Sequence, residues 1–223
     1  MSSPAPHVVP LFATPFGEMR VPEADAVNAA LAALFAGRAT PEWRAAGEPP
    51  GPLTFRSRDD LLEWPEEPVR RALSGIVSGV SAVAASISEL SAEQFAALRA
   101  QVRASFTIVR PDGSLPASNY PNSAWLGVYC VAAPPQSPSR FDSGVLRLHE
   151  WRPGTSFQDA SCVGLRLPYR PGHCNWRLVA GQMAVFPAAI THEIPTLRAS
   201  GDLVLVTARV RFIASEQVWM PPW

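Results

Sequence analysis

The chain contains no lysine: all 19 of its basic residues are arginines, and 19 acidic residues balance them to a formal net charge of zero. The arginines are scattered among the acids, with no basic stripe and no basic patch interleaved with aromatics, so the electrostatic footprint of a nucleic-acid binder is missing. This Arg-only habit, with abundant Ala and Pro, reads as the composition of a GC-rich bacterial genome. Cysteine is scarce as well. Cys130, Cys162 and Cys174 are odd in number and widely spaced, which argues against both a disulfide framework and a CxxC metal knot. Long apolar runs are absent too. The longest candidate, Ile76 to Ile87, is diluted with Ser and Gly and falls short of the ~20 residues a membrane helix needs. Met1 to Pro10 lacks a basic start followed by an apolar core, so no signal peptide is expected and a cytoplasmic location follows.

What is present divides by texture. Residues 21–38 carry Ala, Leu and Val at three- and four-residue steps before Gly37, the pattern of an amphipathic helix. Residues 39–58 are rich in Pro and Gly and read as a loop. A second helical stretch opens near Asp59 and continues from Pro65 through Glu89. A third is expected from Ala92 to about Ala104, with Ser91 as N-cap and Gln94 at capping-box spacing. From Ser105 the pattern turns to short β-rich runs: FTIV (106–109), AWLGVYCVA (124–132), GVLRLHEW (144–151), CVGLRLPY (162–169), NWRLV (175–179), QMAVFP (182–187) and DLVLVTARVRFI (202–213). Such runs, at roughly ten-residue spacing, predict an antiparallel sandwich or barrel. The amphipathic helices need that sheet to cover their apolar faces. The expectation is therefore one α+β domain over 1–223, with a mainly helical part (21–104) packed on a β core (105–213).

Several blocks, in order, resemble a small bacterial family of 2-oxoglutarate/iron(II) oxygenases. RPDGSLPASNYPNSAWLGVYCVA (110–132) is similar to the family's Gly turn, His-x-His-Pro and following strand. SGVLRLHEWRP (143–153), GQMAVFPAAITHEI (181–194) and GDLVLVTARV (201–210) match later segments, and LFATPF (11–16) and RSRDDLLEWPEEPVRRAL (56–73) match the start. The resemblance implies a double-stranded β-helix (jelly roll) with an iron ion inside the barrel mouth. Three protein ligands on one face would hold it, and an Arg on a late strand would grip the far carboxylate of the co-substrate.

Carried over residue by residue, that chemistry is largely replaced. His-x-His-Pro falls on Ser118-Asn119-Tyr120-Pro121, and the distal His survives as His192. Eleven residues on, the co-substrate Arg position is Leu203; the Ser two further on becomes Leu205, and the closing Asn becomes Arg209. A serine hydroxyl is a poor ligand for iron(II), and one His cannot hold a labile divalent ion at useful affinity. Leu in place of Arg removes a charge-assisted pair worth ~1.5–3 kcal/mol.

Ligands of one metal ion lie ~3 Å from one another, so side chains inheriting those positions should converge. Ser118, Tyr120 and His192 are thus expected to form a hydroxyl–imidazole cluster able to do acid–base chemistry. Leu203 and Leu205 would supply an apolar wall, with Arg209 and Asn119 as further substrate contacts. No cofactor is expected. If a divalent metal such as iron does bind, the remaining candidates are His192, His149 and Glu150. His173 and Cys174 read as a solvent-facing PGHCNW turn, and Trp125, Tyr129 and Trp151 as core. The leading expectation is a small-molecule enzyme of bacterial specialised metabolism performing a non-oxidative or unconventional step such as cyclisation, isomerisation or elimination. The alternatives are a metal oxygenase with rebuilt ligands and a non-catalytic binding or partner protein. No nucleic acid or membrane partner is expected, and a homodimer is left open.

Overall fold

Among the residues described by the computed structural model (10, 12–48, 51–135, 142–150, 160, 164–170 and 172–214), ten strands form two antiparallel sheets. His7, Trp151, Cys162 and the C-terminal QVWMPPW (217–223) lie outside the described residues. The strands are β1 (Gly17–Arg20), β2 (Thr54–Arg56), β3 (Arg99–Val109), β4 (Leu115–Ser118), β5 (Trp125–Ala132), β6 (Val145–His149), β7 (His173–Arg177), β8 (Gln182–Pro187), β9 (His192–Ile194) and β10 (Leu203–Ile213). The larger sheet runs β1-β8-β5-β10-β3-β2 and the smaller β4-β9-β6-β7. Two helices, α1 (Ala24–Arg38) and α2 (Glu67–Ser86), pack on the outer face of the larger sheet.

The central strands β5 and β10 are buried on both faces, and their pleat divides the apolar side chains between two cores. On β10, Val204, Val206, Ala208 and Val210 face the helices, together with Tyr129, Phe106 and Met183. Leu203 and Leu205 face the smaller sheet, with Val128, Leu146, Phe186 and Ile194. The helices present the complementary stripes: Val27, Leu31 and Phe35 on α1, at three- and four-residue spacing, and Val69, Leu73, Ile76 and Val80 on α2. Phe35 stacks on Phe106 at 4.3 Å. Tyr129 is fully buried, and its hydroxyl donates to Asn28 Oδ1. Burial pushes that phenol up to about 12, so it stays protonated.

The sequence patterns and the structure part in several places. The capping box forms, with Gln94 N–H bonded to Ser91 Oγ at 3.2 Å and Ser91 N–H to Gln94 Oε1 at 2.8 Å. The helix it starts, α3 (Ala92–Ala96), nevertheless ends at once, and residues expected to continue it to Ala104 form β3. Eleven residue pairs between β3 and β10, from Val109↔Leu203 to Arg99↔Ile213, outweigh the helix propensity of that Ala- and Arg-rich stretch. Helix α1 runs one residue past Gly37, and α2 stops at Ser86, short of Glu89. The described part of CVGLRLPY, from Gly164, is turn and irregular chain rather than strand. His173 and Cys174 belong to β7, paired with His149 and Leu148, rather than to a turn. No helix among the described residues is long and apolar enough to cross a membrane.

One glycine is demanded by a backbone approach near the mouth of the barrel. A Cβ on Gly113 would sit 2.4 Å from the Leu53 carbonyl oxygen and 2.9 Å from that of Arg110. Both oxygens are held in place: Arg110 N–H donates to Leu53 O, and Gly113 N–H to Arg110 O, each at 2.8 Å. Gly113→Ala should therefore cost ~1–3 kcal/mol by overpacking and lower Tm by several degrees. Gly51→Ala, where a Cβ meets nothing within 4 Å, should leave Tm within about a degree. Equal melting temperatures for the two variants by calorimetry would contradict this packing.

Candidate functional site

Strands β4 and β9 pair so that Ser118 stands opposite His192, and on the other side of β9 His192 stands opposite Leu148 of β6. Residues directly opposite in an antiparallel pair share a face. Leu148 belongs to the core between the sheets, so this face looks inward, toward the larger sheet. A cavity of about 440 Å³ opens there. Leu115, Val128, Leu146, Ile194 and Leu205 give it an apolar wall, while Ser118, Tyr120, His192, Thr107, Thr207 and Arg56 bring polar groups to it.

Tyr120 follows β4 and is fixed by its backbone, its N–H donating to Ala188 O at 2.8 Å and its carbonyl accepting from Ser123 at 3.0 Å. Its ring centroid lies 5.9 Å from that of His192, whose other side meets Phe186 edge-on at 5.5 Å. His192 Nδ1 is 3.1 Å from the Ile190 carbonyl. A carbonyl only accepts, so this contact puts the proton on Nδ1 and leaves the Nε2 lone pair as the available base. Burial lowers the pKa of His192, and the positive charge of Arg56, with that of His149 when protonated, adds to the effect against the opposing Ile190 bond. The imidazole is therefore neutral near pH 7. Among the described residues no hydrogen bond joins Ser118, Tyr120 and His192 directly; they share one cavity.

Of the other expected substrate contacts, Leu205 borders the cavity while Leu203, Asn119 and Arg209 do not. Leu203 is fully buried in the inner core, whereas Leu205, two residues on, borders the cavity. Asn119 is exposed and donates to Ala189 O at 3.2 Å. Arg209 does point to the inner side of β10, but its guanidinium is bound to Asp59 Oδ2 and lies 4.9 Å from the Tyr120 ring centre, so it supports Tyr120 rather than lining the cavity. Arg56, from β2, borders the cavity and lies 5.6 Å from the same ring centre. Its importance, like that of Thr107 and Thr207, depends on strand pairing that no local pattern reports.

The donor set does not fit an iron(II) centre of the oxygenase kind. Of the three positions that the sequence resemblance matches to ligands, Ser118 and Tyr120 carry neutral hydroxyl side chains, and iron(II) sites of this type rely on imidazole and carboxylate. The reserve ligand set also fails to assemble. His149 and Glu150 border a second cavity with Leu167, Tyr169 and His173, and neither lines the cavity that holds His192. His149 Nε2 instead lies 3.5 Å from Glu193, which Arg147 holds at 3.0 Å. No three His, Cys, Asp or Glu side chains converge among the described residues.

No protein-family model and no curated protein matches the chain. Solved structures do. A prolyl-4-hydroxylase from Pseudomonas putida is similar with a TM-score of 0.59 at 17% identity, covering 89% of this chain and 92% of that one. The non-heme alpha-ketoglutarate-dependent epimerase SnoN from nogalamycin biosynthesis gives 0.58 at 14%, over 94% and 81%. HygX from Streptomyces hygroscopicus, with nickel, 2-oxoglutarate and hygromycin B bound, gives 0.55 at 13%, over 89% and 83%. At such identities the likeness concerns architecture: this chain has the double-stranded β-helix fold of the 2-oxoglutarate/iron(II) oxygenases.

Proposed function

We propose that the chain is a small-molecule enzyme on an oxygenase scaffold that works by acid–base chemistry at His192, in a step such as isomerisation, cyclisation or elimination within bacterial specialised metabolism. The observation that carries this reading is the single neutral imidazole in a mostly apolar cavity, its Nδ1 tied to Ile190 and its Nε2 left as base, with two hydroxyls at the neighbouring inherited positions. His192 Nε2 takes a proton from an acidic C–H or O–H of the substrate. The Tyr120 or Ser118 hydroxyl donates a hydrogen bond to the oxygen on which charge develops. In an isomerisation the proton returns at another atom; in an elimination the leaving group departs with its electron pair. Neither needs an oxidant. Fold analogy bears on the reaction class alone: SnoN, of the same architecture, is a non-heme alpha-ketoglutarate-dependent epimerase from nogalamycin biosynthesis.

The reading has four direct tests. Anaerobic titration with iron(II) and 2-oxoglutarate should give no stoichiometric metal-to-ligand charge-transfer band, because the ligand positions are Ser118 and Tyr120 and the co-substrate position is Leu203. A stoichiometric band would restore the oxygenase reaction. Nitrogen-15 NMR of the imidazoles should show His192 as the Nδ1–H tautomer, protonating below the ordinary value of 6.5. The lowered folded pKa means that the unfolded chain takes up this proton first as pH falls. Wild type should thus lose stability relative to His192→Gln below about pH 6.5 and match its pH dependence above it. A His192 midpoint at or above 6.5 would contradict the assignment. With a turned-over substrate, His192→Ala should lower kcat by ~10²–10⁴. A mere binding role would shift affinity by only ~1–2 kcal/mol.

A further inference from the structure

From the placement of Arg56 we infer that the substrate of this cavity is an apolar carboxylic acid, anchored by its carboxylate on Arg56 with its body against Leu146 and Leu205. The inference rests on the cavity being the working site, as proposed above, and adds what it binds. Arg56 closes β2 and is paired with Thr107 of β3, a cavity residue, so the pleat sends the Arg56 side chain to the same face. Its guanidinium is loosely held. Glu48 Oε1 lies 3.5 Å away and Asp59 Oδ1 3.7 Å away, whereas charge-assisted pairs close to about 2.7–2.9 Å. Arg147 shows the tighter case, at 3.0 Å from Glu193, and Asp59 is already committed to Arg209 in a closer contact.

A guanidinium has five N–H donors in a rigid fork suited to a bidentate carboxylate. Here one long bond to Glu48 uses a small part of that capacity. The rest is available in a cavity whose walls are mostly apolar, where a charge-assisted bond is stronger than in water. An incoming carboxylate replaces Glu48, whose side chain is 34% exposed and can turn to solvent, so the charge balance around Arg56 is unchanged. Arg56 and His192 flank Tyr120, one near its ring face and the other beside it, so an acid held at Arg56 presents atoms several bonds from its carboxylate to the imidazole. Arg56 is also distinct from Leu203, the position that the sequence resemblance matches to the oxygenases' co-substrate Arg, which is sealed in the core.

The probes are 2-naphthoate and its uncharged isostere 2-naphthamide, with affinities measured by calorimetry on the full chain. Wild type should prefer the naphthoate. Arg56→Gln should weaken naphthoate by about tenfold or more while leaving naphthamide within about twofold. Glu48→Gln, which removes the competing carboxylate and leaves the β-strands untouched, should tighten naphthoate by about two- to fivefold. His192→Gln should keep the naphthoate preference, so a failure of the acid–base reading leaves this result standing and the two can be told apart. The inference is overturned if neither probe binds, if Arg56→Gln weakens both equally or neither, if Glu48→Gln leaves naphthoate affinity unchanged, or if 2-oxoglutarate displaces naphthoate at equal concentration.

Discussion

Strand β10 lies between β5 and β3 and has to serve two cores at once. Its even-numbered residues from Val204 to Val210 seal the helical side, which commits Leu203, Leu205, Thr207 and Arg209 to the inner side. An arginine on that side would be costly to bury unpaired. Arg209 is accordingly bound to Asp59 and laid near the Tyr120 ring, which fixes Tyr120 from one direction while the backbone bonds to Ala188 and Ser123 fix it from another. The position of Tyr120, and through it the shape of the cavity beside His192, thus follows from the pleat of one strand. Asp59 also explains why Arg56 is left with loose partners, since its carboxylate is drawn toward Arg209.

β4 and β9 set positions 118 and 192, which the sequence resemblance matches to metal ligands of the oxygenases, opposite each other and facing inward. Two hydroxyls and one imidazole make a poor metal site and a serviceable proton-transfer site, because a neutral His with its Nδ1 occupied has one well-defined basic nitrogen. Arg56, on the edge strand β2 at the far end of the β10-β3-β2 segment, is a loosely held cation bordering the cavity. Scaffold and reaction are separable here in the ordinary way that one fold hosts many activities.

The strands that were legible in the sequence are those buried enough to read as apolar runs. QMAVFP (182–187) and the long closing strand are recovered nearly to the residue. Strands β1, β2, β4 and β9 escaped because they are three or four residues long and mostly polar or half-exposed, and their pairing partners are distant in sequence. The overrun of the third helix has the same origin: nothing local in RAQVRASF announces that β10 will pair along its whole length. His192 could be singled out because the motif around it resembles the oxygenases even where its partners do not. Arg56 could not, because only the register Arg56↔Thr107 turns a residue from a loop-like stretch toward the cavity. His149 and Glu150 have ligand chemistry in the sequence, but they border a different cavity, which no local pattern reports.

We propose that Ser118, Tyr120 and His192 work in their shared cavity without a metal ion. Metal analysis by plasma mass spectrometry of the protein as purified from iron-supplemented cells tests it most directly. The account predicts iron, nickel, manganese and zinc well below one atom per chain, with no change on His192→Ala. A content near one atom per chain that drops on His192→Ala would contradict it.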